Sequence, residues 1–149
     1  MIRKLLFVIA VGMMILVLTD CKSGGGDPEP NEADVQLGKL TATWKCSAAT
    51  KGGVAQDGYN DFKLILSGTA GSDTFNYSCT DRPSLSPWPA NGTWKFGTNV
   101  ATDITRDSDL PVSYSVTDSQ LQVTFTYSGA GFAGRTNEVN GTWVFTFTK

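Results

Sequence analysis

The chain has 149 residues, 40% of them hydrophobic and 17% charged, with a formal net charge of −2, an isoelectric point near 4.9 and no histidine. This composition belongs to a folded protein of one domain, and its few scattered cations exclude a basic face for nucleic acid. Without histidine the chain lacks the commonest general base, the usual partner of a Ser or Cys nucleophile and the commonest neutral metal ligand.

The N-terminus reads Met1-Ile2-Arg3-Lys4 and then an uncharged apolar run from Leu5 to Leu18. That run is shorter than the roughly 20 residues of a membrane-spanning helix and has the form of a signal peptide, expected over residues 1–20. It ends in Leu18-Thr19-Asp20-Cys21, which resembles the lipobox of bacterial lipoproteins and implies a lipid on the Cys21 thiol. Asp20 stands where Gly, Ala or Ser is usual, which leaves an uncleaved membrane anchor as the alternative. Residues 21–36, opening Cys21-Lys22-Ser23-Gly24-Gly25-Gly26-Asp27-Pro28, are expected to be a flexible tether rich in Gly, Pro and acid. A single β domain is expected over 37–149. With Cys21 set aside, Cys46 and Cys79 remain as a pair that an oxidising envelope permits to join; two separate buried thiols are the alternative.

From Leu40 onward apolar and polar residues alternate with period two, the pattern of strands with one buried face. Strands are expected around Leu40-Ala42-Trp44-Cys46, Phe62-Leu64-Leu66, Phe75-Tyr77-Cys79, Trp94-Phe96, Ile104, Val112-Tyr114-Val116, Leu121-Val123-Phe125-Tyr127 and Trp143-Phe145-Phe147. No segment after the leader shows helical periodicity. About eight strands with one polar face each describe an all-β, antiparallel fold, and short sequential connections favour an up-and-down, lipocalin-like barrel over a β-sandwich. Asn91-Gly92-Thr93-Trp94 recurs as Asn140-Gly141-Thr142-Trp143, where Asn-Gly reads as a turn and Trp as a plug where the strand enters the barrel.

The leader and tether, the early Thr43-Trp44-Lys45, the segment Trp88-Pro89-Ala90-Asn91-Gly92-Thr93-Trp94-Lys95-Phe96, Ile104-Thr105-Arg106-Asp107, Gly134-Arg135-Thr136 and the terminal Gly141-Thr142-Trp143-Val144-Phe145-Thr146-Phe147 together resemble small lipocalin-like lipoproteins of Gram-negative bacteria. The resemblance implies a barrel at the cell envelope, expected at the outer membrane, and assigns no catalytic or binding residue.

No catalytic site and no cofactor are expected. Asp103, Asp107 and Asp109 share a turn but lack the spacing of a calcium loop, and no metal is assigned to them. The expected working part is the barrel mouth, where Trp44, Tyr77, Trp94, Tyr114, Arg135 and Trp143 are the ligand-binding candidates and the segment Ser128 to Asn140 is either a lid or a mobile loop. Two readings follow: a membrane-anchored module that binds a small hydrophobic ligand in or at the mouth, or a packed barrel that meets another envelope protein.

Overall fold

A computed structural model describes residues 29–129 and 139–149. Its first element is a helix, α1 (Glu32–Leu40). The Asn31 side chain caps it by accepting from the Ala33 N–H at 3.1 Å, Glu32 and Asp34 occupy the positive end of the helix dipole, and Lys39 the negative end. Leu37 and Leu40, three residues apart, are buried, and the Thr41 N–H closes the helix on the Leu37 carbonyl at 2.8 Å. This corrects the sequence reading twice: there is a helix, and it takes up residues 32–36, which were assigned to the tether. Its periodicity was invisible because only two apolar residues face inward, Val35 is 42% exposed, and Gly38 sits mid-helix.

Nine strands follow: β1 (Ala42–Lys51), β2 (Val54–Ala55), β3 (Lys63–Ser67), β4 (Phe75–Thr80), β5 (Asn91–Phe96), β6 (Asp103–Arg106), β7 (Leu110–Val116), β8 (Gln120–Tyr127) and β9 (Gly141–Thr148). All pair antiparallel with their neighbours, and β9 returns to β1, with Cys46 opposite Phe147 and Lys51 opposite Trp143. Strands β1 and β3 to β9 thus form a closed up-and-down barrel of eight strands, lipocalin-like in architecture, with β2 as an extra strand on the far end of β1. A bulge between Cys46 and Ala48 lets the long β1 serve both the β3 and the β9 pairing. The expected strands and barrel are present, except that Leu40, expected to open the first strand, ends α1; the sandwich is not.

The registers define two ends. At the base lie α1 and the β3–β4, β5–β6 and β7–β8 connections; at the mouth lie the β1–β3 region and the β4–β5, β6–β7 and β8–β9 connections. The base is sealed locally. The Trp44 indole N–H donates to the Leu40 carbonyl at 2.8 Å, and the Lys149 ammonium lies 4.9 Å above the same ring.

Asn-Gly is not a turn at either copy of the repeat: Asn91-Gly92 opens β5, and Gly141 opens β9. Each glycine lies across from a tyrosine and each following Trp across from a phenylalanine: Gly92 faces Tyr77 and Trp94 faces Phe75, while Gly141 faces Tyr127 and Trp143 faces Phe125. The repeat is therefore one half of a duplicated hairpin, Phe-x-Tyr against Gly-x-Trp; at Gly92 the missing side chain makes room for the Tyr77 ring opposite, whereas a Cβ at Gly141 would meet Lys51 instead.

The interior is filled by rings. Phe145 lies at the centre, with ring centroids of Tyr59, Phe62, Trp88, Phe125, Trp143 and Phe147 between 5.2 and 6.0 Å away. Full burial of a side chain of this size contributes roughly 1.5–3 kcal/mol, so these contacts dominate the core. Cys46 and Cys79 are free and buried. No bridge joins them, because β3 stands between their strands: Cys79 is opposite Leu64, and the Cys46 N–H donates to the Phe62 carbonyl. Strands two apart are separated by about 9.5 Å, beyond the roughly 7 Å limit for a disulfide.

Candidate functional site at the barrel mouth

Alternation along β6 turns Ile104 and then Arg106 into the barrel, where Arg106 is only 2% exposed. Its β5 neighbour in register is Trp94 and its β7 neighbour Leu110. The next residue, Asp107, has a left-handed backbone (φ 56°), which turns the chain into the β6–β7 hairpin and lets the carboxylate reach back over the mouth. There it accepts from the Tyr77 hydroxyl at 3.0 and 3.1 Å and from the Thr93 N–H at 3.3 Å. Gly92 permits this approach, since a Cβ there would stand 2.5 Å from the Tyr77 hydroxyl and collide with Asp107 Oδ1.

The top of the site comes from a loop. Ser86, Pro87 and Trp88, in the β4–β5 connection, are buried although they belong to no strand. The Trp88 ring meets Tyr77, Phe125 and Phe145 edge-on, at centroid distances of 5.4–6.0 Å. The guanidinium carbon of Arg106 lies 4.4 Å from the Trp88 centroid and 4.8 Å from that of Phe125. Two polar contacts hold the loop down, Arg106 Nη2 donating to the Pro87 carbonyl at 2.9 Å and the Tyr59 hydroxyl to the Leu85 carbonyl at 3.3 Å, while within the loop Arg82 Nη1 donates to the Trp88 carbonyl at 3.3 Å.

Hydrogen bonding here is one-sided. Arg106 Nε, Arg106 Nη1 and Trp88 Nε1 are the buried side-chain nitrogen and oxygen atoms without a hydrogen-bond partner among the described residues, and all three are donors. Arg106 Nε is 3.3 Å from Asp107 Oδ2, an ion pair whose geometry makes no hydrogen bond. Each buried donor left without an acceptor costs roughly 1–3 kcal/mol, so the cluster is a destabilising feature in an otherwise packed core. Burial lowers the Arg106 pKa, opposed by Tyr77 and Asp107. Burial likewise pushes the Tyr77 phenol far above its usual range, against the pull of Arg106, and raises the Cys79 thiol to about 12. The arrangement can hold an oxygen acceptor between aromatic walls; among the described residues no three or more Cys, Asp or Glu side chains gather to hold a metal.

Of the six expected ligand contacts, Tyr77 belongs to this site. The Trp94 indole is occupied with the Asn76 carbonyl at 3.2 Å and the Trp143 indole with the Val139 carbonyl at 2.7 Å, while Trp44 seals the base and the Tyr114 hydroxyl donates to the Val100 carbonyl, also at the base. Each of these four has its polar atom bonded to a backbone carbonyl, and the Arg106 guanidinium lies over Trp88 and Phe125 rather than over any of them. Arg135, most of the 128–140 loop, the leader and Cys21 lie outside the described residues. Asp107 serves Tyr77 and Arg106, and Asp109 is exposed. Sequence reasoning missed Arg106 and Trp88. The available signals were an arginine at an inward position of an alternating strand and, separately, a tryptophan in a proline-rich loop.

The fold and the site define a class: a small closed antiparallel barrel with a filled axis and a loop-capped mouth over a buried cation. No family model, curated protein or solved structure matches the chain.

Proposed function

We propose that this chain is a lipid-anchored lipoprotein of the bacterial cell envelope, akin to the lipocalin-like lipoproteins of Gram-negative bacteria and attached to the outer membrane through Cys21. Its barrel is a non-catalytic module that binds a small hydrophobic or amphipathic molecule at the mouth. The observation that carries this reading is the buried Arg106 beneath Trp88: the Arg106 Nε and Nη1 nitrogens make no hydrogen bond among the described residues. The filled axis directs the ligand to the mouth rather than the lumen. The geometry of the described chain is compatible with it: α1, the first described element, lies at the base, the end of the barrel opposite the mouth.

The rival, a packed barrel that meets another envelope protein, is favoured by the same ring stack around Phe145. Native mass spectrometry of the protein extracted from envelopes separates the two. A bound small molecule, lost on Arg106→Met, is expected; a clean apo mass favours the rival. Cys21→Ser is expected to release the domain from the membrane fraction, and continued membrane association through the leader would sink the lipid-anchor claim.

A further inference from the structure

Nothing in an eight-stranded barrel requires a loop residue inside it, yet Trp88 enters from the β4–β5 connection and spreads its indole over Arg106. The loop brings two things together: a flat apolar body, the Trp88 ring, and an oxygen acceptor, the Pro87 carbonyl, which takes the Arg106 Nη2 donor. It satisfies the guanidinium only in part, since Nε and Nη1 keep their protons without a hydrogen-bond acceptor. Nη2 carries one N–H in each donor fork of a guanidinium, so the Pro87 carbonyl takes one fork from two-point contact with a carboxylate, and Asp107 Oδ2 stands 3.3 Å from Nε at the edge of the Nε–Nη2 fork. The loop supplies both the carbonyl on Nη2 and the ring over the guanidinium.

From this we infer that the 86–88 segment is an internal stand-in for the ligand, and that the true occupant is an apolar or aromatic monocarboxylic acid that displaces Trp88 and Pro87 together. Its hydrophobic body takes the place of the indole against Phe125, Phe145 and Tyr77. Its carboxylate takes a fork of Arg106 that includes Nη2. A neutral apolar molecule would replace the ring but leave the guanidinium worse satisfied than before. A small inorganic anion would satisfy the guanidinium but leave the aromatic walls wet. The acid class is the one that answers both. Asp107, half-exposed at the rim, keeps its contact with Tyr77 throughout. This identification rests on the mouth-binding reading above and adds the ligand's head group and the moving part.

The test uses full-length protein in detergent micelles, empty micelles as the blank, and calorimetric titration with 1-naphthoate, its neutral analogue 1-naphthalenemethanol, and inorganic phosphate. Naphthoate is expected to bind at least tenfold more tightly than either of the others, a comparison that needs no variant to fold. Trp88→Ala is expected to bind naphthoate at least threefold more tightly than the native chain, because the internal competitor is gone, and Arg106→Met at least tenfold more weakly. Equal affinity for naphthoate and its alcohol, phosphate binding as tight as naphthoate, no naphthoate binding to either the native chain or Trp88→Ala, or weaker binding by a folded Trp88→Ala would each overturn the inference. A neutral molecule found bound to envelope-extracted protein, alongside equal naphthoate and alcohol affinities, would leave mouth binding standing and remove only the acid.

Discussion

Arg106 and Trp88 touch each other, but their removal has different consequences. Trp88→Ala empties space among Phe62, Tyr77, Phe125 and Phe145 and removes the cover over a cation, and losses of this kind cost about 3–5 kcal/mol. Arg106→Met keeps most of the volume and removes two orphaned donors but leaves the buried Pro87 carbonyl without its donor, so chemical unfolding should show a loss of about 1–3 kcal/mol, smaller than that of Trp88→Ala. A larger loss for Arg106→Met than for Trp88→Ala would mean that the guanidinium is a structural keystone rather than a receptor. Gly92→Ala places a methyl where Asp107 and Tyr77 meet, and should cost stability through that contact, read as a lower unfolding midpoint that Tyr77→Phe partly restores. The thiols give a pH signature. Burial raises Cys46 to about 11 and Cys79 to about 12, so the folded chain holds protons that the unfolded chain releases near pH 9. Their contribution is complete below pH 9 and is lost as pH rises through 11–12. Thermal melts should therefore weaken above pH 9, and less steeply in Cys79→Ser.

At the scale of elements, α1 is the clearest departure from what the sequence suggested. Its stability rests on the Asn31 cap and on Leu37 and Leu40, so Asn31→Ala should cost about 1 kcal/mol and Leu40→Ala about 2–5 kcal/mol in urea unfolding, whereas substitutions in a free tether would cost nothing. The strands were legible because each shows a buried and an exposed face: Trp44 and Cys46, Phe75, Tyr77 and Cys79, and Trp143, Phe145 and Phe147 alternate as the barrel requires. The two Asn-Gly-Thr-Trp segments were legible as a repeat but not as halves of a hairpin, because pairing Gly92 with Tyr77 and Gly141 with Tyr127 depends on register across a loop. The site was largely illegible for the same reason. Four of its members, Tyr77, Trp88, Arg106 and Phe125, lie on four different segments, and period-two alternation says which face a side chain takes but not which neighbour it meets.

For the described barrel, closure of β9 on β1 removes exposed sheet edges apart from the short β2. The base is locked by Trp44, Leu40 and Lys149, while the mouth is covered by a loop tied to the barrel through two side-chain contacts to its carbonyls. The two ends should therefore differ in how easily they open. Hydrogen exchange on the ligand-free protein tests this most directly, because it reads local opening residue by residue. The Ser86 and Trp88 amides should exchange at least about a hundredfold faster than those of Val123 and Phe145 in the barrel wall, reporting a mouth that opens while the barrel stays closed. Equal protection of Trp88 and Phe145 would contradict the account, making the loop a permanent part of the core and the mouth no site at all.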